Sequence, residues 1–321
     1  MDVTALKTGG IIKQRQKDLF TVRLKCPGGR LPLDRLERIL AVARRHGRDY
    51  VHLSVRQSIE IPYVNAADLP AVRAELGEAG QGIASCGPRV RVPTACAGCE
   101  YNPNGLGDTQ KLAALVAERY FGTGRFPHKF KITFGGCPTD CPHSAQADLG
   151  FLAAVEPRWD EKACTGCGVC AVACGEGAIE DRDGFPHFIP DRCLYCGDCI
   201  RACPASAWSA GRTGWIARVG GKHGRHPIMA ANVATFLWDD EVPEFIGAVT
   251  GWYERQGARY RRTRIGTILQ DDAMWTDFLA ALRARFPERV LPGNLPKPQP
   301  LSVHKPYQKE YVDEYASGGG I

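Results

Sequence analysis

Two lysines and two cysteines share one short stretch of the sequence, KFKITFGGCPTDCPH at residues 129–143. Its first half alternates polar and apolar residues, which predicts a strand. Because side chains alternate across a strand, Lys129 and Lys131 should point to the same face. Cys137 and Cys141 follow at a short spacing that suits metal ligation. The stretch therefore predicts two ammonium groups beside two thiolates.

Three arginines lie on other segments with a strand-like alternation. In HLSVRQS, Arg56 would share a face with Ser54 and His52, and in GPRVRVP, Arg89 and Arg91 would share a side. Each one alone is most simply a solvated surface charge. Like charges held close together are costly unless an anion neutralises them. The set therefore predicts a site for an anionic cofactor and an anionic substrate.

Two cysteine runs, CTGCGVCAVAC and CLYCGDCIRACP, repeat one CxxCxxCxxxC pattern 29 residues apart. This is the bacterial ferredoxin pattern, in which the fourth cysteine of each run ligates the other cluster. The pattern predicts two 4Fe–4S clusters, although CxxC pairs also serve zinc. Triplets of CxxCxxC followed by CP disfavour zinc, and Gly175, where a proline is usual, removes no ligand. The predicted ligand sets are Cys164, Cys167, Cys170 and Cys203 for one cluster and Cys193, Cys196, Cys199 and Cys174 for the other.

A second group of cysteines lies outside these runs. The pairs CAGC (96–99) and CPTDC (137–141) are candidates for a third cluster, because two short-spaced pairs supply four thiolates. Cys26 and Cys86 are expected to be small buried apolar groups.

The bulk composition limits the class of protein. The chain has 321 residues, 44% hydrophobic and 24% charged, and no apolar run approaches the roughly 20 residues of a membrane helix. No secretory signal is visible, so a cytoplasmic protein is expected, in which 14 cysteines would stay reduced and bind metal. The net charge of +6 suits an anionic ligand, a nucleic acid or an acidic partner equally.

Periodicity and capping residues predict the elements that position these side chains. The βαββα order near the N-terminus indicates a small α+β unit with helices on one face of an antiparallel sheet. Asp108 is expected to cap a helix. The predicted strands cover residues 18–26, 50–64 and 129–135, and the predicted helices cover 32–47, 66–79, 107–122, 241–257 and 271–286.

These motifs together resemble the sirohaem-containing sulfite and nitrite reductases of the short, ferredoxin-bearing type, which include the anaerobic sulfite reductase catalytic subunit and dissimilatory sulfite reductase-like proteins. The resemblance spans roughly residues 15–230. The residues that carry it, besides the double ferredoxin run, are SVRQ (54–57), RVRVPTACAG (89–98), GLGDT (105–109), KFKITFGGCPTDC (129–141) and GGKHGRHP (220–227).

The resemblance implies an α+β fold in three parts. An N-terminal ferredoxin-like sulfite reductase half-domain would cover residues 1–80. A sirohaem-binding α/β domain would cover 81–155 and 211–321, and a bacterial-type ferredoxin domain with two 4Fe–4S clusters would be inserted at 156–210.

The resemblance also implies roles for individual residues. Cys141 would bridge a third 4Fe–4S cluster to the sirohaem iron, with Cys96, Cys99 and Cys137 as its other ligands. Asn102 stands where the family has a cysteine, so either Cys99 or Cys86 must complete the set. The residues implied to bind the substrate oxyanion are Arg56, Arg91, Lys129 and Lys131. Those implied to bind the carboxylates of the macrocycle are Arg89, Lys222, His223 and Arg225.

The function implied is the six-electron reduction of sulfite to sulfide, with electrons from a redox partner protein. Nitrite reduction is the nearest alternative. An electron-transfer subunit with a silent or absent sirohaem is another, which the four retained cations disfavour. RYRRTR (259–264) raises nucleic-acid binding, but a basic hexamer is usually a solvated face. The chain is expected to pair with a copy or a homologous subunit, without nucleic acid and without membrane insertion.

Overall fold

A computed structural model describes residues 2–301 of the protein, and its N-terminal part is a four-stranded antiparallel sheet covered by helices. The strand order is β1-β2-β4-β3. In chain order the elements are α1 (Val3–Thr8), β1 (Ile11–Lys13), β2 (Leu19–Arg23), α2 (Leu33–His46), β3 (His52–Leu53), β4 (Ile59–Asn65) and α3 (Leu69–Glu78).

Burial alternates along the central strand β2, which is why it can carry one face of a core. Phe20 and Val22 are buried, while the residues between them are partly exposed. They pack with Ile39 of α2, Ile61 of β4 and Val72 of α3 in one apolar cluster. This cluster gives the N-terminal unit a core of its own.

The rest of the chain is built on a five-stranded mixed sheet with the order β12-β10-β7-β6-β5. Strands β5, β6 and β7 are parallel, and β7, β10 and β12 are antiparallel. The elements up to the sheet's longest ladder are β5 (Thr94–Ala95), α4 (Thr109–Arg119), β6 (Ile132–Gly135), β7 (Leu149–Trp159), α5 (Val169–Ala173), β8 (Ile179–Arg182), β9 (Phe185–Phe188), α6 (Asp198–Ala202) and β10 (Trp208–Val219). Those that follow are β11 (Ile228–Met229), β12 (Ala231–Leu237), α7 (Glu241–Gly257), α8 (Ile265–Ile268), α9 (Asp272–Arg285) and β13 (Gln299–Pro300).

The core of this second unit lies between the sheet and the helices α4, α7, α8 and α9. Aromatic side chains dominate it: Phe134 stacks on Phe151 with ring centroids 5.2 Å apart, and Trp252 meets Phe278 edge to face at 5.0 Å. All four are less than 2% exposed. Aromatic pairs of this kind add to the free energy of area burial.

The ladder between β7 and β10 places the cysteine-rich segment. Its register runs from Leu149 opposite Val219 to Trp159 opposite Trp208, so the chain between the last pair leaves the sheet at one end of the ladder. That segment holds the two short helices α5 and α6, the hairpin β8–β9 and a small apolar cluster of its own around Ile179 and Trp208.

Most predicted elements are present, with some differences at their ends. The helix predicted at 241–257 has those bounds, and Asp108 caps α4 by accepting from the Lys111 N–H at 2.9 Å. The strand predicted over 50–64 is wrong in the middle, because a turn separates β3 from β4. The strand predicted over 129–135 begins only at Ile132. No helix among residues 2–301 is both long enough and apolar enough to cross a bilayer.

Candidate active site

A cleft of about 630 Å³ lies between the β3–β4 turn of the N-terminal unit and the start of β6. Its lining includes three of the predicted oxyanion-binding cations. None of the described residues that line it is a carboxylate. The side chains of the lining that carry charge or could act in chemistry are Arg56, Arg91, Lys131, Cys141, His143 and His223.

Arg56 reaches the cleft from a tight turn. The Ser54 N–H donates to Ser58 O at 2.9 Å, and the Gln57 N–H donates to Ser54 O at 3.0 Å. The expectation that Arg56 shares a strand face with Ser54 and His52 is therefore wrong, because the chain reverses there. Burial lowers the pKa of Arg56 to about 10, and the nearby cations Arg23 and Arg91 contribute.

Gln57 ties this turn to the second unit. Its side-chain amide donates to Ala95 O at 2.6 Å and accepts from the Ala95 N–H at 2.9 Å. Two hydrogen bonds to one residue of β5 fix both the distance and the orientation of the turn. Arg56 is thus held over a strand of the other unit, on the same cleft as Lys131.

Arg91 is buried and Arg89 is exposed, so the expectation that they share a side is wrong. Residues 87–89 form a bend, and the Arg89 N–H donates to Gly87 O at 3.0 Å. Arg89 lines a separate surface depression with Arg73. Arg91 is 7% exposed; one guanidinium nitrogen donates to Ser85 O at 3.0 Å, but its Nε has no acceptor among the described residues.

Lys131 lines the cleft just before β6. Its backbone N–H donates to Asp148 Oδ2 at 2.8 Å. Burial and, to a lesser extent, the positive charge of Arg264 together lower the pKa of its ammonium group to about 8. Lys129 is half-buried and is not part of the described cleft lining; burial and the same arginine lower its pKa as well.

A buried ion pair between Asp148 and Arg264 lies next to Lys131, and it was not predicted from the sequence. Asp148 is fully buried and Arg264 is 8% exposed; Arg264 Nε donates to Asp148 Oδ1 at 2.6 Å. Arg264 belongs to the basic hexamer that was predicted to be a solvated face. The available signal was Asp148 itself, because a carboxylate directly before the apolar run LGFLAAV needs a partner when that run is buried.

The loop that carries Cys137 and Cys141 is organised around Asp140. Its carboxylate accepts from the Ser144 N–H at 2.8 Å and from an Arg218 guanidinium nitrogen at 3.0 Å. Cys141 is exposed on the cleft. Cys137 is buried, and it lines a second space of about 250 Å³ together with residues of the cysteine-rich segment.

The loop at Cys96 packs directly against the Cys137 loop. Cys96 Sγ accepts from the Gly136 N–H at 3.1 Å and from the Gly98 N–H at 3.4 Å. A Cβ on Gly136 would lie 2.7 Å from Gly98 Cα, so glycine is required for this approach. Cys99 lies on the same loop and is exposed.

Cys86 is buried at a different place, beside the N-terminal unit. Its N–H donates to Thr8 O at 3.0 Å, and its Sγ lies 3.6 Å from an Arg23 guanidinium nitrogen. The structure thus brings the loops of Cys96, Cys99 and Cys137 together and leaves Cys86 with other partners. Which thiols ligate a cluster stays a prediction.

The cysteine-rich segment contains two small cavities. The four cysteines of each predicted set surround one cavity. Among residues 2–301, no three His, Cys, Asp or Glu side chains are placed to hold a single metal ion. The first cavity is lined by Cys164, Cys167, Cys170 and Cys203 and the second by Cys174, Cys193, Cys196 and Cys199.

The GGKHGRHP loop brings one of its three predicted residues to the cleft. His223 lines it, and burial together with the charge of Lys131 lowers the pKa of His223. Lys222 Nζ donates to Thr267 Oγ1 at 3.1 Å. Arg225 is exposed outside the described lining. The roles of these three residues in binding a macrocycle stay predictions.

Two domains of known protein families match the sequence of this chain. Residues 86–289 match the nitrite and sulphite reductase 4Fe-4S domain, and residues 12–79 match the nitrite/sulfite reductase ferredoxin-like half domain. The fold and the cysteine-bearing cleft therefore define a redox enzyme class. The chain belongs to the nitrite and sulfite reductase family.

Individual relatives support the same conclusion. The chain is 31% identical over 263 residues to the coenzyme F420-dependent sulfite reductase of Methanocaldococcus jannaschii, a match that covers 82% of this chain and 42% of that protein. An uncharacterized protein of the same organism is 33% identical over 78% of this chain and 87% of its own length. The crystal structure of dissimilatory sulfite reductase I matches with a TM-score of 0.69 at 20% identity, covering 94% of this chain and 76% of that one.

These findings confirm the predicted family and the predicted fold class of a ferredoxin-like half-domain joined to a mixed α/β unit. The family description includes a 4Fe-4S cluster. The domain boundaries, the ligand sets and the number of clusters remain predictions.

Proposed function

We propose that this chain reduces sulfite to sulfide at a sirohaem bound in the cleft, coupled through Cys141 to a 4Fe–4S cluster. Sirohaem would supply an iron with an open coordination position for the sulfur of sulfite and a path for electrons. The observation that carries the proposal is a cationic cleft, without a carboxylate in its described lining, into which an exposed cysteine opens.

The residues of the cleft fit an anionic macrocycle. The cleft, at about 630 Å³, lies within the range of roughly 300–1,000 Å³ of ligand and cofactor pockets. Arg91 Nε is buried without an acceptor among the described residues, and buried donors are normally paired. Carboxylates of a tetrapyrrole or oxygens of a bound oxyanion would provide that acceptor. His223 would meet the macrocycle from the opposite loop.

Binding of sulfite would depend on the cations that surround the cleft. Arg56 and Arg91 would hold its oxygens with charge-assisted hydrogen bonds, which a planar guanidinium can make in pairs. Their mutual repulsion is one reason for the lowered pKa of Arg56. A dianion between them would relieve that repulsion, so the cleft is built to attract the charge that it binds.

Lys131 would deliver protons as each S–O bond breaks. A general acid works best when its pKa lies near the working pH, and burial brings the pKa of Lys131 to about 8. Asp148 would hold the backbone of Lys131 in place through its 2.8 Å hydrogen bond. Lys129 would add positive charge from outside the described lining.

The cysteine-rich segment would carry electrons to the cleft through two further 4Fe–4S clusters. Each cavity is surrounded by four cysteines, as a cubane with an iron at each ligated corner requires. Cys137 lines the space of about 250 Å³ that Cys174 and Cys196 also line. The second cavity would therefore hold the cluster nearer to the coupled one, and a redox partner protein would supply electrons from outside.

Nitrite is the second candidate substrate, because the family description names both activities. The similarity to the coenzyme F420-dependent sulfite reductase supports sulfite as the first choice. We propose that the enzyme works as a cytoplasmic protein and pairs with a copy of itself or with a homologous subunit. We propose no nucleic-acid role, since Arg264 of the basic hexamer is buried in an ion pair.

The test is an anaerobic absorption spectrum of the reconstituted protein, followed by turnover of sulfite and nitrite with reduced methyl viologen. We expect a sirohaem band and faster turnover of sulfite than of nitrite. A spectrum with iron–sulfur absorption but no sirohaem band would support an electron-transfer subunit instead. Faster reduction of nitrite would overturn the substrate assignment and keep the cofactor.

A further inference from the structure

Trp208 contributes an indole N–H that has no acceptor in the described part of the chain. Its side chain is 3% exposed and lines the first cavity together with Cys164, Cys167 and Cys170. A buried tryptophan N–H usually finds a hydrogen-bond partner. The missing partner is therefore expected to come from whatever occupies this cavity.

The internal repeat shows that this donor is specific to one cavity. Ala207 N–H donates to Cys203 Sγ at 3.2 Å, and 29 positions earlier Ala178 N–H donates to Cys174 Sγ at 3.2 Å. The backbone is thus equivalent in the two halves. The next residue is Trp208 in one half and Ile179 in the other. Each lines its own cavity, but only the indole can donate a hydrogen bond.

Carboxylates do not produce the same contrast, because both cavities have them. Asp181 lines the first cavity and accepts from the Gly184 N–H at 2.9 Å. Glu176 and Asp198 line the second, where Asp198 pairs with Arg201. Thr165 also lines only the first cavity, with Leu194 at the equivalent position of the second, but Thr165 is exposed to solvent. The buried side-chain donor of Trp208 is therefore the difference that bears most directly on a bound cluster.

We propose that the Trp208 indole N–H donates a hydrogen bond to a sulfur of the 4Fe–4S cluster held by Cys164, Cys167, Cys170 and Cys203. Hydrogen bonds to cluster sulfurs stabilise the more negative, reduced state and so raise the reduction potential. Trp208 is a tuning residue, and Ile179 leaves the other ferredoxin-type cluster without the equivalent bond. This inference rests on the two ferredoxin-type clusters of the proposed function.

The test compares Trp208→Phe with Trp159→Phe in the reconstituted holoprotein, by a redox titration followed by EPR. Trp159 also has a buried indole nitrogen without an acceptor among residues 2–301, but it lines neither cavity, which makes it a matched control. We expect Trp208→Phe to shift one midpoint potential to a more negative value and to leave the others unmoved. An unchanged set of midpoints at full iron content would overturn the assignment.

A second measurement covers the case in which Trp208→Phe fails to retain the cluster. Wild-type protein labelled with ¹⁵N at the indole nitrogen should show a ¹⁵N hyperfine coupling to a reduced cluster in pulsed EPR, and so should labelled Trp159→Phe. Absence of the coupling would overturn the hydrogen bond. Iron and sulfide analysis that finds no cluster beyond the coupled one would instead overturn the electron-transfer part of the proposed function, and this inference with it.

Discussion

Lys131 is the residue on which the proposed proton donation depends. Its side chain lines the cleft, its pKa is about 8, and it alone of the two predicted lysines belongs to the described lining. We expect Lys131→Ala to lower sulfite turnover by about 10²-fold, the usual loss for a general acid, with the cofactor spectrum retained. Lys17→Ala, which removes an exposed lysine, is the control. Unaltered turnover in Lys131→Ala would exclude this role.

The pH dependence of turnover offers a separate test of the same ammonium group. Lys131 is protonated below its pKa of about 8 and loses the proton as the pH rises through that value. Because bound anions favour the protonated form, turnover should decline as the pH rises at or above about 8. Lys131→Arg cannot lose its proton in this range, so its lower turnover should be flat there. An identical alkaline decline in Lys131→Arg would assign the titration to another group.

The lowered pKa of Lys131 also has a consequence for the stability of the cofactor-free protein. The folded-state pKa of about 8 lies below the ordinary value of 10.5, so between these values the unfolded chain binds more protons. Stability from this group is then lowest below pH 8 and rises towards pH 10.5. We expect Lys131→Met to increase the free energy of unfolding by about 1–2 kcal/mol at pH 7. The increase in stability between pH 8 and pH 10.5 should be absent from this variant. Urea unfolding of both proteins at pH 7 and at pH 10.5 would measure these two effects. A Lys131→Met variant that is less stable than the wild type at pH 7 would contradict the prediction.

The position of Lys131 depends on the element that begins next to it, β7. Asp148 directly precedes this strand and holds Arg264, which lies just before α8. Asp148→Asn would leave the guanidinium buried without its counter-charge, so we expect a loss of about 3–5 kcal/mol in the free energy of unfolding. The double variant Asp148→Leu with Arg264→Met should recover part of this loss, because it removes both charges. A loss below about 1 kcal/mol in the single variant would mean that water reaches the arginine.

The loop between β6 and β7 places Cys141 on the cleft and Cys137 on the second space, and Asp140 holds the middle of this loop. Asp140→Ala would leave the Ser144 N–H and the Arg218 guanidinium without their acceptor. We expect the iron content to fall by several-fold, with circular dichroism unchanged, since the loop lies outside both cores. Asp49→Ala removes an aspartate from an exposed pair with Arg44 and should keep full iron content. Full iron content in Asp140→Ala would show that the cysteines need no such support.

Local signals predicted the helices well and the site only in part. Sequence alternation could not reveal the turn at Arg56 or the bend at Arg89. Both segments keep a strand-like alternation of residue types, although the backbone reverses at the first and bends at the second. Strand β7 was missed since it is buried on both faces and reads as a continuous apolar run. The Asp148–Arg264 pair joins residues 116 positions apart, and no local pattern encodes such a partner. The ligand sets of the two cysteine runs could be predicted because their CxxCxxCxxxC spacing is a local feature of the sequence.

At the scale of the whole molecule, two separate cores meet at one cleft. The N-terminal unit contributes Arg56 through a turn that Gln57 fastens to β5, and the second unit contributes Lys131 and Cys141. Neither unit alone contains the full set of cations. The cysteine-rich segment is a third part, attached where the ladder between β7 and β10 ends at Trp159 and Trp208.

This attachment predicts that the cysteine-rich segment can be removed without loss of the reductase fold. Trp159 and Trp208 are direct antiparallel partners, so Asp160 and Ala207 could be joined by Asn-Gly, a pair that favours tight hairpins. We expect the shortened protein to unfold cooperatively at a lower temperature. The unfolding temperature falls because Tyr195, which packs on Phe236 with ring centroids 5.2 Å apart, is removed and no longer covers that ring.

The shortened protein also separates the two parts of the proposed function. It should keep the sirohaem band and some turnover with methyl viologen, a small donor that can reach the cleft directly. It should lose turnover with a reduced ferredoxin, because Cys174 and Cys196 no longer face Cys137 across the space between the loops. Full-length protein with Cys193→Ser and Cys196→Ser, which removes two predicted ligands of the cluster in the second cavity, is the control for the loss of that cluster alone. Undiminished turnover with ferredoxin would show that electrons reach the cleft by a route that avoids this segment.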